Sequence, residues 1–173
     1  MEATHAREAD GSETPLPRYE HHMLCDEYGQ FPAEMNDWER EVLKVEMTRE
    51  GFQAWYRNPS RACPESLGVA YNGNDQVKLV RPDFIFFVKQ SDGSFAADIV
   101  DPHGTHFSDA LAKLQGLAYY AEKHSEVYRR IEGIAKAGDK LRVLDLTDSS
   151  VRKAVAEAAD ARSPYQSEFA SDY

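Results

Sequence analysis

The 173-residue chain lacks long apolar runs and contains little cysteine. No stretch approaches the ~20 apolar residues that cross a bilayer, and the polar N-terminus does not resemble a signal peptide. Cys25 and Cys63 are the two cysteines, and neither has a partner at metal-ligand spacing. Both are expected to be unpaired thiols in a reducing compartment, and a Cys25–Cys63 disulfide is the alternative. These absences predict a cytoplasmic protein without a membrane span.

Several common functional signatures are also missing. The chain has no P-loop, no dinucleotide-binding glycine pattern, no Ser-His-Asp signature and no zinc-ribbon spacing. It also lacks the positive charge of a typical nucleic-acid binder, because its formal net charge is −10. However, residues 1–50 hold 13 acidic and 5 basic side chains, whereas residues 51–162 hold 15 of each. A DNA partner therefore remains compatible with the charge distribution.

The length suits one domain with a real hydrophobic core. Residues 1–20 are polar and acidic, which predicts a disordered or linker segment. Residues 21–160 are expected to form the folded domain, and residues 161–173 a flexible tail.

Hydrophobic periodicity predicts helices that begin at Asn36 and Ser108, and a third over residues 149–159. Strands are predicted over residues 52–56, 69–71, 77–88, 95–100, 130–135 and 141–146. This order predicts an α/β fold in which a mixed central sheet is flanked by helices.

Two acids mark the most informative stretch of the sequence. Asp83 precedes one apolar strand and Asp98 lies within the next. Burying a carboxylate in or beside an apolar strand costs free energy unless the carboxylate is paired or binds a cation. Because the two strands are expected to form a hairpin, the acids would offer oxygen ligands to a hard divalent metal. A structural aspartate at a strand start is the alternative for Asp83.

Further acids and imidazoles provide weaker candidates. Glu39 lies in the first turn of the first helix, where the helix dipole alone explains an acid, and Glu46 is a competing acid two turns later. Asp101, His103 and His106 form a short cluster that suits zinc or manganese. The alternative is a tight turn in which the imidazoles hydrogen-bond backbone groups.

Three cations are candidates for contacts with substrate. Lys113 follows Asp109 by four residues, which suits an ordinary helical ion pair. Arg57 and Arg61 belong to a loop that could contact a DNA backbone. The alternative is that the preceding aromatic residues, Trp55 and Tyr56, simply cover the core.

Six segments of the sequence match the pattern of a known family: Asn36-Asp37-Trp38-Glu39, Trp55-Tyr56-Arg57-Asn58-Pro59-Ser60-Arg61, Arg81-Pro82-Asp83-Phe84, Asp98-Ile99-Val100-Asp101-Pro102-His103-Gly104, Lys113-Leu114-Gln115-Gly116-Leu117-Ala118 and Arg142-Val143-Leu144-Asp145-Leu146. Through these segments the chain resembles, over roughly residues 18–155, the C-terminal nuclease-like domain of restriction-type DEAD/DEAH-box helicase proteins. These domains are similar to type III restriction subunits and belong to the PD-(D/E)XK superfamily.

The resemblance implies a restriction-endonuclease-like core and assigns roles to individual residues. Glu39, Asp83 and Asp98 would bind Mg²⁺ or Mn²⁺. The superfamily places a catalytic lysine two positions after the last acid, but Val100 stands there. Lys113, on the following helix, would take its place.

The implied function is that of a metal-dependent DNA endonuclease-like domain in a restriction or phage-defence helicase system. Its partners would be DNA and a helicase motor in the same or a neighbouring chain, with a homodimer as a further option. The alternative is a catalytically inactive nuclease-fold module that binds DNA or protein, which the missing lysine and the charge of −10 favour.

Overall fold

The computed structural model describes residues 4–7, 9–73 and 76–173. The described residues form three α-helices, α1 (Asp37–Met47), α2 (Ala110–His124) and α3 (Ser149–Glu157), and a 3₁₀ helix at Ser163–Gln166. They also form twelve strands: β1 (His5–Arg7), β2 (Glu13–Pro15), β3 (Arg18–Glu20), β4 (Gln30–Pro32), β5 (Phe52–Arg57), β6 (Val69–Gly73), β7 (Gln76–Val80), β8 (Phe84–Lys89), β9 (Phe95–Pro102), β10 (Tyr128–Ala137), β11 (Lys140–Asp145) and β12 (Ser171–Asp172). None of the helices in these residues is long and apolar enough to cross a membrane.

Six strands form the central sheet, in the order β12-β11-β10-β9-β8-β5. The pairs β5–β8, β8–β9 and β10–β11 are antiparallel, whereas β9 and β10 are parallel. Parallel neighbours need a crossover connection, which α2 supplies between them. The predicted α/β class with a mixed central sheet is confirmed.

The sheet has one helical layer on each side. On one face, Val42 and Leu43 of α1 share a buried cluster with Val100 of β9. On the other face, Leu114 of α2 shares a second buried cluster with Ile99. Successive residues of a strand point to opposite faces, so Ile99 points into the core beneath α2 and Val100 into the core beneath α1.

The predicted strand over residues 77–88 is wrong, because it is two strands in different sheets. β7 ends at Val80 and β8 begins at Phe84. Pro82 lies between them, has no backbone N–H for a strand ladder, and its carbonyl accepts a hydrogen bond from the Asn58 amide at 2.8 Å. β7 instead pairs with β6 in a separate hairpin, which packs against α2.

Both ends of the chain contain more structure than the sequence predicts. β1 and β2 form an exposed antiparallel pair within the segment expected to be disordered or a linker. In the expected flexible tail, Tyr165 is fully buried, and the Tyr173 hydroxyl donates to Glu46 at 2.7 Å. The prediction of a flexible tail over residues 161–173 is therefore wrong, because its aromatic side chains complete both cores.

Candidate functional site

Asp83 and Asp101 form a cross-strand pair where β8 begins and β9 ends. The antiparallel register pairs Phe84 with Val100. Continuing it by one residue brings Asp83 opposite Asp101, and the Asp83 N–H donates to Asp101 Oδ1 at 3.1 Å. Asp101 shares the face of Ile99, which is covered by α2, and Asp83 lies beside it just before β8 begins.

The close approach of these acids changes their electrostatics. Burial and, to a smaller extent, the nearby charge of Asp101 raise the pKa of Asp83 to about 7, against the opposing effect of Arg57. Asp101 itself is 7% exposed. Two carboxylates in this position repel each other, and a cation between them would relieve that repulsion.

Arg57 connects Asp83 to the helix acid Glu39. Its Nη2 lies 2.9 Å from Glu39 Oε1 and 3.5 Å from Asp83 Oδ1. Glu39 also completes a capping box with Asn36, whose backbone N–H donates to Glu39 Oε2 at 3.0 Å. Glu39 therefore belongs to the cluster, but its carboxylate is already bound by a helix cap and a guanidinium.

Asp98 does not join this cluster, so the predicted geometry in which Asp83 and Asp98 share a cation is wrong. Asp98 shares the face of Val100, which is the face covered by α1. Its buried carboxylate accepts hydrogen bonds from Arg129 Nε at 3.0 Å and from Arg130 Nη2 at 2.9 Å. Arg130 also binds Glu46, the competing helix acid, at 2.5 Å. Asp98 and Glu46 are thus parts of a buried ionic network.

His103 lies two residues after Asp101 and is fixed by it. The Nδ1 atom lies 3.1 Å from the Asp101 carbonyl oxygen and 3.3 Å from Asp101 Oδ2. Because both oxygens are acceptors, Nδ1 carries a hydrogen, and the Tyr165 hydroxyl lies 3.1 Å from Nε2. The fully buried Tyr165 has a pKa well above its usual value, because burial disfavours its anion.

An open cleft of about 420 Å³ lies above the two acids. Its polar lining consists of Asn36, Ser60, Arg81, Asp83, Asp101, His103 and Lys113. Lys113 thus shares a cleft with Asp83 and Asp101, and its ammonium pairs with Asp109 at 3.1 Å. We name this the Asp83–Asp101 cleft.

The predicted zinc or manganese site of Asp101, His103 and His106 is only partly assembled. His103 contacts Asp101, but His106 is exposed and packs against Phe107, with ring centroids 4.1 Å apart. Across residues 4–7, 9–73 and 76–173, no group of three His, Cys, Asp or Glu side chains is arranged to hold a metal ion.

The two arginines predicted to contact DNA differ in their surroundings. Arg57 points into the acid cluster and lies over the Phe84 ring at 4.8 Å. Arg61 is exposed and lines a second cavity of about 270 Å³, next to Arg57. Ser60 lines both this cavity and the Asp83–Asp101 cleft.

Sequence reasoning chose Asp98 where the structure pairs Asp101 with Asp83. The signal that distinguishes them is the hairpin register. The Gly93 turn pairs Lys89 with Phe95. Moving away from the turn by six residues on each strand, down from Lys89 and up from Phe95, places Asp83 opposite Asp101. Asp98 falls opposite Phe86 and therefore on the other face.

With this geometry established, comparison with known proteins identifies the family. The model of the YagJ family matches residues 20–173. The chain belongs to the YagJ family. It is also 52% identical over 173 residues to Protein YagJ of Escherichia coli (strain K12), a match that covers all of this chain and 70% of that protein. No solved structure matches the chain.

Membership of the YagJ family corrects the resemblance drawn from the sequence. The chain is not the C-terminal nuclease-like domain of a restriction-type DEAD/DEAH-box helicase protein, because the YagJ model accounts for nearly its whole length. The expectation of a helicase motor as partner depended on that resemblance and loses its basis.

Proposed function

We propose that this YagJ-family protein hydrolyses phosphodiester bonds of DNA at the Asp83–Asp101 cleft with the help of Mg²⁺ or Mn²⁺. The proposal depends on one observation, the cross-strand pairing of Asp83 with Asp101 at the floor of an open cleft. Two carboxylates that face each other on adjacent strands are suitable ligands for a hard divalent cation.

We also propose that the core is of the PD-(D/E)XK type, with a different second acid from the one the sequence indicated. Glu39 on α1, Asp83 after Pro82, and Asp101 on the next strand supply the three acids of that pattern. His103 then stands at the position of the lysine, two residues after Asp101.

The residues present suit an ion such as Mg²⁺ better than a metal whose ligands all come from protein side chains. Mg²⁺ is usually held by one or two carboxylates together with waters and substrate phosphates. Asp83 and Asp101 would supply the two carboxylates, so a third side-chain ligand is not required. When bound, the ion neutralises charge on the phosphate and lowers the pKa of a water.

The remaining side chains have roles that follow from their contacts. His103 holds the Asp101 carboxylate in place through Nδ1 and is itself fixed by Tyr165. Lys113, on the cleft wall, would stabilise negative charge that develops on the phosphate.

Cleavage of labelled DNA in Mg²⁺ and in Mn²⁺ tests this function. We expect Asp83→Asn and Asp101→Asn to reduce the rate at least ~100-fold, because each removes a charge that binds the metal. Asp98→Asn is the matched control on the opposite face, and the folded variant should cleave like the wild type. Intact DNA with the wild-type protein, or equal losses in all three variants, would contradict the proposal.

A second candidate function is a nuclease-fold module that binds without catalysis. The contacts of Arg57 favour it, because this guanidinium already supplies a cation to Glu39 and Asp83. Calorimetric titration with Mn²⁺ separates the candidates. A heat of binding that disappears in Asp101→Asn supports the enzyme, whereas no heat with the wild-type protein supports the module.

A further inference from the structure

The Asp83–Asp101 cleft combines exposed apolar side chains with cations. Leu79, at 49% exposure, and Phe107, at 58%, both line it. Arg81 and Lys113 line the same cleft. An apolar side chain next to a cation is suited to a ligand that carries both flat apolar surfaces and negative charge.

The walls of the cleft limit the size of its occupant. One wall is the end of β7, with Leu79 and Val80, and another is the segment that leads into α2, with Phe107. The volume of about 420 Å³ lies in the range of pockets for small ligands. This is space for one or a few units of a polymer.

We propose that the cleft takes an unpaired DNA strand, with Phe107 and Leu79 contacting exposed bases while Arg81 and Lys113 contact phosphates. This inference deepens the proposed function by naming its substrate class. Base stacking on an aromatic ring requires a free base face, which a paired and stacked duplex does not offer. A duplex-binding surface also needs many phosphate contacts, whereas the cations that line this cleft are Arg81 and Lys113.

Binding is tested with the Asp101→Asn protein in Mg²⁺, so that recognition is measured without cleavage. Fluorescence anisotropy would compare a labelled strand of about 15 nucleotides with the duplex of the same sequence. We expect the single strand to bind at least ~10-fold more tightly. Adding Phe107→Ala should weaken single-strand binding ~10-fold through the lost stacking contact.

Matched controls identify the surface. Phe95 is 68% exposed but lies at the other end of β9, about 20 Å from Asp101 along an extended strand. Phe95→Ala should leave the affinity unchanged. Lys113→Met should reduce the slope of log affinity against log salt by ~0.7, whereas Lys153→Met on α3 should not.

The outcomes separate this inference from the proposed function. If the wild-type protein cleaves no DNA but binds single strands through Phe107, the hydrolytic function fails and the substrate class stands. Equal affinity for duplex and single strand, no binding to either, or equal effects of Phe107→Ala and Phe95→Ala would overturn the inference.

Discussion

Arg57 is a cation that the chain itself places between two acids of the candidate site. One guanidinium nitrogen, Nη2, contacts Glu39 and Asp83. The other, Nη1, is buried and has no hydrogen-bond partner within the described part of the chain. Arg57 therefore places a positive charge next to Asp83, where it competes electrostatically with a divalent ion bound by that carboxylate.

Replacing Arg57 should consequently increase metal affinity. Arg57→Gln removes the competing positive charge and leaves Asp83 beside Asp101 without compensation, which favours a bound cation. We expect the dissociation constant for Mn²⁺, measured by calorimetry on the folded variant, to fall ~10-fold.

Arg61→Gln is the control for this prediction, since Arg61 is exposed on the loop that follows β5 and its replacement should leave metal affinity unchanged. An unchanged or weaker affinity in Arg57→Gln would mean that Arg57 helps the cation bind instead of competing with it.

Single residues also show where sequence reasoning reaches its limit. Asp83, Glu39 and Lys113 could be named from the sequence, and all three lie in or beside the candidate site. The choice between Asp98 and Asp101 could not be made from composition, because both acids lie in one apolar strand. It depends on a hairpin register that changes face with every residue.

At the scale of elements, the contact between the β6–β7 hairpin and α2 supports one wall of the cleft. The helix approaches the hairpin closely because Gly116 has no side chain. A Cβ added at Gly116 would lie 2.3 Å from Tyr71 Cβ, next to the backbone of β6. Tyr71 also binds Asp109 at the start of α2, at 3.3 Å.

Gly116→Ala should therefore destabilise the protein although alanine normally favours a helix over glycine. The new methyl group has to push Tyr71 and its strand away, because a Cβ atom cannot rotate aside. We expect a loss of ~1–3 kcal/mol in the free energy of unfolding, measured by urea denaturation.

Glu122→Ala, at an exposed position of the same helix, should change stability by less than ~0.5 kcal/mol. A stabilised Gly116→Ala variant would show that helix propensity outweighs this contact.

The helices and most strands could be predicted because their periodicity is local, but the hairpin could not be assigned to its own sheet. The apolar run over residues 77–88 looks continuous in sequence. Only the position of Pro82 indicates a break, and a proline also suits the beginning or edge of a single strand. Which sheet each half joins is decided by packing between β6 and α2.

At the scale of the whole molecule, the sheet separates two groups of charges. The face toward α2 has the Asp83–Asp101 cleft, whereas the face toward α1 has a buried ionic network. The network includes Glu132, which accepts hydrogen bonds from Arg130 at 3.0 Å and is 7% exposed. Burial raises the pKa of Glu132 to about 7, against the opposing effect of Arg130.

The raised pKa of Glu132 makes stability depend on pH. The unfolded chain releases this proton near pH 4.5, whereas the folded protein retains it up to about pH 7. In that interval the folded state binds more protons, so the free energy of unfolding decreases as pH rises. Glu132→Gln cannot ionise and should lose less stability than the wild type between pH 5 and pH 8, by on the order of 2 kcal/mol. Urea denaturation at the two pH values measures this difference.

Glu41→Gln is the control for this prediction, since Glu41 is exposed on α1, and its stability should follow that of the wild type at both pH values. If Glu132→Gln also follows the wild type, Glu132 keeps an ordinary pKa and Arg130 fully compensates its burial.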